Sequence, residues 1–195
     1  MKSFQEVLDF WFEGEPLGDV QMSRWWKKNE AQDRLIENEF GDLPDKVQSG
    51  MCDEWLESPE GRLAAIITLD QFPRNIYRGD SKSFYYDALA LSLSGEGVKL
   101  GQFSQLPELM QAFFVMPFMH SESLEDQQQC IQLFEKILSG AKEHYKPYLA
   151  GSLEFAIKHR DIVARFGRFP HRNLVLGRES TGEELSFLEQ PGSSF

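Results

Sequence analysis

The chain has 195 residues, of which 41% are apolar and 26% charged, a size and balance typical of one soluble globular domain over residues 1–195. Its net charge of −11 at pH 7 argues against nucleic-acid binding and against docking on anionic lipid, because both of those surfaces are themselves negative. No apolar run reaches the roughly 18 residues of a membrane-spanning helix, and no secretory signal is visible. We therefore expect a cytoplasmic protein.

Helical periodicity dominates the first third of the chain. A capping-box pattern at residues 3–6 predicts a first helix, and apolar residues at helical spacing predict a second helix over residues 30–40. A short helix over residues 42–49 follows. Ser58 and Pro59 form a typical helix start, and the apolar run behind them predicts a buried central helix.

Two further helices are predicted in the middle of the chain, and each is expected to end at a helix-breaking residue. Residues 84–93 have helical spacing, which we expect to end at the break formed by Gly95 and Gly97. Residues 106–114 predict the next helix. We expect it to end before Pro117, because proline has no backbone N–H group to continue the ladder.

The last third of the chain continues the helical pattern. Ser123 begins an amphipathic stretch, residues 147–166 predict a long helix that ends at Gly167, and a capping box begins at Thr181. Residues 190–195 are expected to form a loose tail. Since no segment alternates with period two between hairpin turns, the sequence predicts an all-α fold with short loops and about eight or nine helices.

Two segments share a motif. Residues 71–79, the first Phe-Pro motif, read Gln-Phe-Pro-Arg-Asn-Ile-Tyr-Arg-Gly, and residues 168–177, the second Phe-Pro motif, read Arg-Phe-Pro-His-Arg-Asn-Leu-Val-Leu-Gly. Both contain Phe-Pro, Arg-Asn and Gly in the same order, with His171 inserted in the second. The motifs are interpreted either as packing devices that end one helix and start another, or as halves of a binding site.

Positive charge is concentrated around the second Phe-Pro motif. Residues 158–178, the basic segment, contain six Lys or Arg side chains and a single acidic one, Asp161. Arginine forks match the geometry of carboxylates and phosphates, so this segment predicts either an anion site or ion pairs with internal Asp and Glu. The six cations are Lys158, Arg160, Arg165, Arg168, Arg172 and Arg178.

Asp70 is predicted to lie at the carboxyl end of the buried central helix, where the helix dipole disfavours a negative charge. It therefore requires a cationic partner. Arg74 in the first Phe-Pro motif is one candidate, and Arg172 in the second is another. In the second case the two motifs would face each other.

A second polar cluster, His120-Ser-Glu122, precedes a predicted helix. A lone His-x-Glu without further ligands at diagnostic spacing matches no closed zinc set, and we predict neither a metal nor a cofactor. An acid/base role for His120, with Glu122 orienting the ring, is the alternative. Cys52 and Cys130 have no paired spacing and are expected to be buried, reduced thiols.

Four long blocks of sequence carry a family resemblance: residues 7–12 (Val-Leu-Asp-Phe-Trp-Phe), 69–75 (Leu-Asp-Gln-Phe-Pro-Arg-Asn), 116–122 (Met-Pro-Phe-Met-His-Ser-Glu) and 165–173 (Arg-Phe-Gly-Arg-Phe-Pro-His-Arg-Asn). Together with residues 176–181, they resemble the hallmark blocks of the bacterial family called domain of unknown function 924. The resemblance implies a tetratricopeptide-like α-α superhelix or compact helical bundle and a bacterial cytoplasmic origin. It implies no activity.

The sequence thus favours a protein that binds a small anion, such as a phosphate- or carboxylate-bearing metabolite or a peptide terminus. One alternative is an enzyme that uses the same pocket, with His120, His171 and Glu122 as the candidates for acid/base chemistry. The other is a module that binds a protein partner in a groove between helices; no oligomeric state is predicted. The predicted ligand-binding residues are Asp70, Arg74, Asn75, Arg165, Arg168, His171, Arg172 and Asn173.

Overall fold

The computed structural model describes residues 2–193, and within them every regular element is a helix. The predicted all-α fold is confirmed. The α-helices are α1 (Phe4–Trp11), α2 (Asp19–Trp26), α3 (Glu30–Phe40), α4 (Leu43–Gln48), α5 (Pro59–Asp70), α6 (Phe72–Ile76), α7 (Asp87–Lys99), α8 (Glu108–His120), α9 (Leu124–Gly140), α10 (Lys146–Phe166) and α11 (Gly182–Leu188). Short 3-10 helices lie between several of them.

Local sequence signals place most helix ends correctly. The capping boxes at Ser3 and Thr181 both form, with the third helical residue bonding back to the cap. The Ser58 side chain accepts a hydrogen bond from the Gly61 N–H and caps α5. Gly167 ends α10 in the left-handed conformation, with a φ of 69° that glycine adopts at no steric cost.

The predicted ends of α7 and α8 are wrong. α7 continues through both glycines to Lys99, because Gly97 lies against the Phe114 ring and the Arg62 side chain, where a side chain of its own would not fit. α8 continues through Pro117 to His120, inside a stretch of residues that are nearly all buried. Tertiary packing thus outweighs the local preference of these residues to break a helix.

Two α-helices, α2 and α6, were not predicted, so the chain has more helices than the eight or nine expected. α6 is formed by the first Phe-Pro motif itself, with Pro73 in its first turn, where the missing N–H has no partner to lose. The second motif forms a 3-10 helix over Pro170–Arg172 in the same way. In both motifs proline starts a new helical segment soon after the previous helix has ended.

Backbone proximity divides the chain into two compact units, and the division falls within α8 after Pro117. The first unit comprises the residues up to Arg78 and Lys82–Pro117. Its centre is α5, in which every residue from Gly61 to Asp70 is buried, as predicted for the central helix. α1, α4, α6 and α7 pack against α5.

The second unit comprises Gly79–Ser81 and the residues from Phe118 onward. α9 packs along α10, and a small apolar core lies beneath the second Phe-Pro motif. That core contains Ile162, Val163 and Phe169, which are buried, and Phe166 and Phe187, which are partly buried.

Residues 190–193 of the tail that was expected to be loose follow α11, and Ser193 contacts that helix. The buried hydroxyl group of Ser193 donates a hydrogen bond to the Leu188 carbonyl at 3.1 Å. Residues 194 and 195 lie outside the described part of the chain. A tetratricopeptide-like superhelix stays a prediction. Among the helices of residues 2–193, none combines the length and the apolar character needed to cross a membrane.

Candidate functional site

In the first unit, the polar groups of the first Phe-Pro motif are used for internal contacts. Asp70 is the last residue of α5 and is fully buried, with Oδ1 3.4 Å from Nη1 of Arg74. The same guanidinium donates two hydrogen bonds of 2.9 Å to the two carboxylate oxygens of Asp87. Arg74, one of the two predicted partners of Asp70, therefore lies between two carboxylates.

Asn75 and Arg78 bind a third carboxylate, that of Asp33 on α3. The Asn75 amide donates at 2.9 Å, and Arg78 donates two bonds at 3.1 and 2.9 Å. Burial acts to raise the pKa of Asp33, but the hydrogen bonds from Arg78 and Asn75 hold it below its ordinary value of 3.8. These contacts attach α6 to α3.

In the second unit, cations of the basic segment pair with carboxylates. Arg160 pairs with its neighbour in sequence, and Arg165 makes an exposed pair on the surface. The pairs and their distances are Arg160–Asp161 at 2.6 Å, Arg165–Glu183 at 2.8 Å, Arg168–Glu184 at 2.6 Å and Arg178–Glu122 at 2.6 Å. For these four cations, the interpretation of the basic segment as a set of ion pairs with internal Asp and Glu is confirmed.

The Arg168–Glu184 pair is structural. Arg168 donates to both oxygens of Glu184, whose carboxylate also accepts the N–H of Thr181 and so completes the capping box of α11. Hydrogen bonding from Arg168 outweighs the effect of burial and lowers the pKa of Glu184 to about 2. Arg168, a predicted ligand-binding residue, thus holds the start of α11.

Glu122 anchors the second Phe-Pro motif. Its Oε1 accepts the Phe169 N–H at 2.8 Å, and both oxygens accept hydrogen bonds from Arg178, at 2.6 and 2.9 Å. Arg178 also donates to the Phe169 carbonyl at 3.2 Å. Burial raises the pKa of Glu122, but the bonds from Arg178 and Phe169 outweigh it and leave the pKa below 4.5.

A buried arginine and two histidines contact the Phe169 side chain, and a third histidine, His120, lies next to one of them. We call these four residues, Arg172, His159, His171 and His120, the histidine–arginine cluster. The Arg172 guanidinium lies 4.5 Å from the centre of the Phe169 ring, and Arg172 is 7% exposed. The rings of His159 and His171 lie 5.5 and 5.7 Å from the same ring. The centre of the His120 ring, at the end of α8, lies 6.5 Å from the centre of the His159 ring.

The two histidines nearest Phe169 are neutral at pH 7. Burial, with a smaller contribution from His120 and Arg172, lowers the pKa of His159 to about 3. Burial and the positive charge of Arg172 lower the pKa of His171 to about 4. Nδ1 of His159 lies 2.8 Å from the Phe155 carbonyl, which only accepts, so this nitrogen carries the proton.

Some buried polar atoms of the second unit have no hydrogen-bond partner. Among them are the Nε of Arg178 and the Oδ1 of Asn173, both in the basic segment, although the Nδ2 of Asn173 donates to Ser180 at 3.0 Å. A buried donor or acceptor left unsatisfied costs about 1–3 kcal/mol. Such atoms are uncommon in native structures, where most buried polar groups have a partner in the protein or in ordered water.

The predicted site residues are divided between the two units. Asp70, Arg74 and Asn75 belong to the first. In the second, the cluster brings together His120, His171 and Arg172, with Glu122 held against Phe169, whereas Arg165 and Arg168 pair with α11. Across residues 2–193, no three His, Cys, Asp or Glu side chains are grouped so that they could hold a metal ion.

Sequence reasoning missed two residues of the second unit: His159, which belongs to the cluster, and Arg178, which binds Glu122. Arg178 was counted in the basic segment but not selected, although it lies in the block at residues 176–181 that matches the family pattern. His159 does not belong to any motif or family block that the sequence shows. Only its position on α10, one turn beyond Phe155 and facing Phe169, places it in the cluster.

The protein is all-helical over the described residues, and its second unit contains a buried arginine among histidine rings. The chain belongs to a family of bacterial proteins of unknown function, DUF924, whose family model matches residues 7–192. It is also similar to the solved structure of a protein of unknown function from Agrobacterium tumefaciens. The TM-score is 0.83 at 35% identity, over 95% of this chain and 96% of that one. Comparison with curated proteins found no significant match.

Proposed function

We propose that the protein binds a small anion, a phosphate- or carboxylate-bearing cytoplasmic metabolite or a peptide terminus, at the histidine–arginine cluster. The observation that carries this proposal is the position of Arg172, a buried guanidinium on the face of Phe169 among the imidazole rings. In a dry site, an arginine fork binds a carboxylate or phosphate with two parallel hydrogen bonds.

Burial and its position on the Phe169 ring favour Arg172 over the other predicted arginines. Arg74 and Arg168 each give two hydrogen bonds to one carboxylate, so neither is assigned to the ligand. Arg178 also gives two hydrogen bonds to one carboxylate, that of Glu122, but its buried Nε–H has no partner and is a second polar group of this segment. His171, neutral at pH 7, offers a third polar group beside Arg172.

An enzyme that uses the same cluster is the second candidate function. Glu122 accepts hydrogen bonds from Arg178 and Phe169, so its position next to the second Phe-Pro motif is fixed. His120 and His171 are the candidates for the acid/base role, and His171 is next in the chain to the arginine that would stabilise developing negative charge.

Thermal unfolding with inorganic phosphate, sulfate and citrate tests anion binding directly. At 100 times its dissociation constant, a ligand stabilises the folded state by roughly 2.7 kcal/mol. For a chain of this size, we expect a rise in Tm of about 5–10 °C. Arg172→Gln should remove this rise.

Arg160→Gln is the matched control, since Arg160 is a cation of the same segment paired only at the surface. It should keep the full rise in Tm. If no anion raises the Tm of the wild type, or if Arg172→Gln responds as the wild type does, the proposal is wrong. Should Arg172→Gln fail to fold, Arg172→Lys keeps the charge without the fork and should bind the same anions more weakly.

A further inference from the structure

We infer that the histidine–arginine cluster takes up a proton together with its anion, and that His171 holds this proton. The inference rests on the proposed anion site and deepens it, because it assigns the site a pH dependence and a specific proton acceptor. It concerns the charge balance around one side chain rather than the identity of the metabolite.

The charged and titratable groups around His171 come from several elements. Arg172 and Arg178 belong to its own segment, Glu122 lies between α8 and α9, His120 ends α8, and His159 lies on α10. The only carboxylate of this set, Glu122, is bound on both oxygens by Arg178. The balance of fixed charge next to His171 is therefore positive, which disfavours an imidazolium ion.

A bound anion reverses this balance. An anion on the Arg172 fork would lie beside His171, because the two residues are adjacent in the chain and both contact the Phe169 ring. Its charge would offset that of Arg172 and favour the protonated ring. The pKa of His171, about 4 without the anion, should then rise, and the extra N–H becomes a donor to the ligand.

His171 is a better proton acceptor than His159. His159 is 5% exposed, and its Nδ1–H is already bonded within α10 to Phe155. His171 is only half-buried, so solvent can supply the proton. The step is a proton transfer alone: the bond from the proton to hydronium or to the buffer acid breaks, an N–H bond to an imidazole nitrogen forms, and the conjugate base stays in solution.

Titration calorimetry with sulfate tests the inference, because sulfate keeps both charges between about pH 5.5 and 7.5, the range in which histidines titrate. Uptake of one proton should tighten binding by up to roughly tenfold for each unit fall in pH. The heat should also depend on the ionisation heat of the buffer. In NMR spectra of the wild type, the Cε1–H signal of His171 should move to its protonated position as sulfate binds.

His171→Gln should still bind sulfate through Arg172 but with little pH dependence and no proton uptake. His144→Gln is the control, since His144 lies on an exposed 3-10 helix and should leave both unchanged. If sulfate fails to bind at every pH, the proposed function itself is wrong. If sulfate binds with a pH-independent affinity, only the inference is wrong. Proton uptake that persists in His171→Gln would refute the assignment to His171.

Discussion

Identical side chains at matching positions of the two Phe-Pro motifs have different surroundings. Arg74 and Arg172 both follow Phe-Pro and precede Asn, yet Arg74 lies between Asp70 and Asp87, whereas Arg172 lies on the ring of Phe169. A motif specifies the residue type and the local helix start. The carboxylates that reach the Arg74 guanidinium come from α5 and α7, which the motif itself does not specify.

Glu184 provides a prediction about stability at the scale of one residue. Glu184→Gln should lower the free energy of unfolding by about 1–3 kcal/mol, because it weakens the bonds of a buried carboxylate to Arg168 and to the cap at Thr181. The folded pKa of about 2 lies below the ordinary 4.5, so this stabilisation is complete above pH 4.5 and is lost as the pH falls towards 2.

Urea unfolding of the wild type and of Glu184→Gln, at neutral pH and near pH 3, measures this effect. The difference between the two proteins should shrink at the lower pH. Glu183→Gln is the control, because Glu183 makes only an exposed pair with Arg165 and should change the stability little. Equal stability of Glu184→Gln and the wild type at neutral pH would contradict the structural role of the pair.

At the scale of the helical element, the close approach of α7 to its neighbours depends on Gly97. A Cβ atom at this position would meet the Phe114 ring and lie 2.6 Å from Cδ of Arg62. Arg62 is itself buried and donates hydrogen bonds to Glu96 and to the Leu56 carbonyl, so it cannot easily move away. The glycine that was predicted to end α7 is instead needed for its packing.

Gly97→Ala should therefore destabilise the protein by about 1–3 kcal/mol, as expected for overpacking in a rigid core. Gly151→Ala is a matched control in α10, because nothing lies within 4 Å of its added Cβ. That substitution should stabilise the protein by up to roughly 1 kcal/mol through helix propensity alone. Denaturant unfolding of both variants measures whether the free energy of unfolding falls in Gly97→Ala and rises in Gly151→Ala. If Gly97→Ala is as stable as the wild type, α7 can shift to make room for the added Cβ atom.

For the whole molecule, buried histidines and paired carboxylates make stability fall in acid. His159 and His171 have folded pKa values of about 3 and 4, both below the ordinary 6.5. As the pH falls below 6.5, the unfolded chain binds protons that the folded chain does not, so stability is lost between pH 6.5 and 4. Below 4.5, the carboxylates of Glu122 and Glu184, whose pKa values are lowered, add to the loss.

Urea unfolding between pH 7 and pH 5 should show this loss above the range in which the lowered pKa values of Glu122 and Glu184 contribute. Each histidine contributes up to about 1.4 kcal/mol per pH unit. His159→Gln should flatten the dependence, whereas His144→Gln, which changes an exposed ring, should keep it. A stability that is constant from pH 7 to pH 5 would mean that these histidines titrate normally in the folded chain.

Much of the secondary structure is determined by the sequence, because caps, proline at first turns and amphipathic spacing act within a few residues. The box at Thr181, the Ser58 cap and the stop at Gly167 all form where local chemistry predicts them. The family blocks likewise identify the chain and include most residues of the cluster.

Tertiary structure decided what depends on contacts distant in sequence. Because of tertiary packing, α8 continues through Pro117 and His159 on α10 contacts Phe169. Packing also places Arg168 against Glu184 and Arg172 against the Phe169 ring. The net charge of the basic segment, counted along the sequence, does not include the carboxylates from other segments that pair with its cations. The partners and the burial that set each pKa exist only once the helices have packed, because both depend on distance in space.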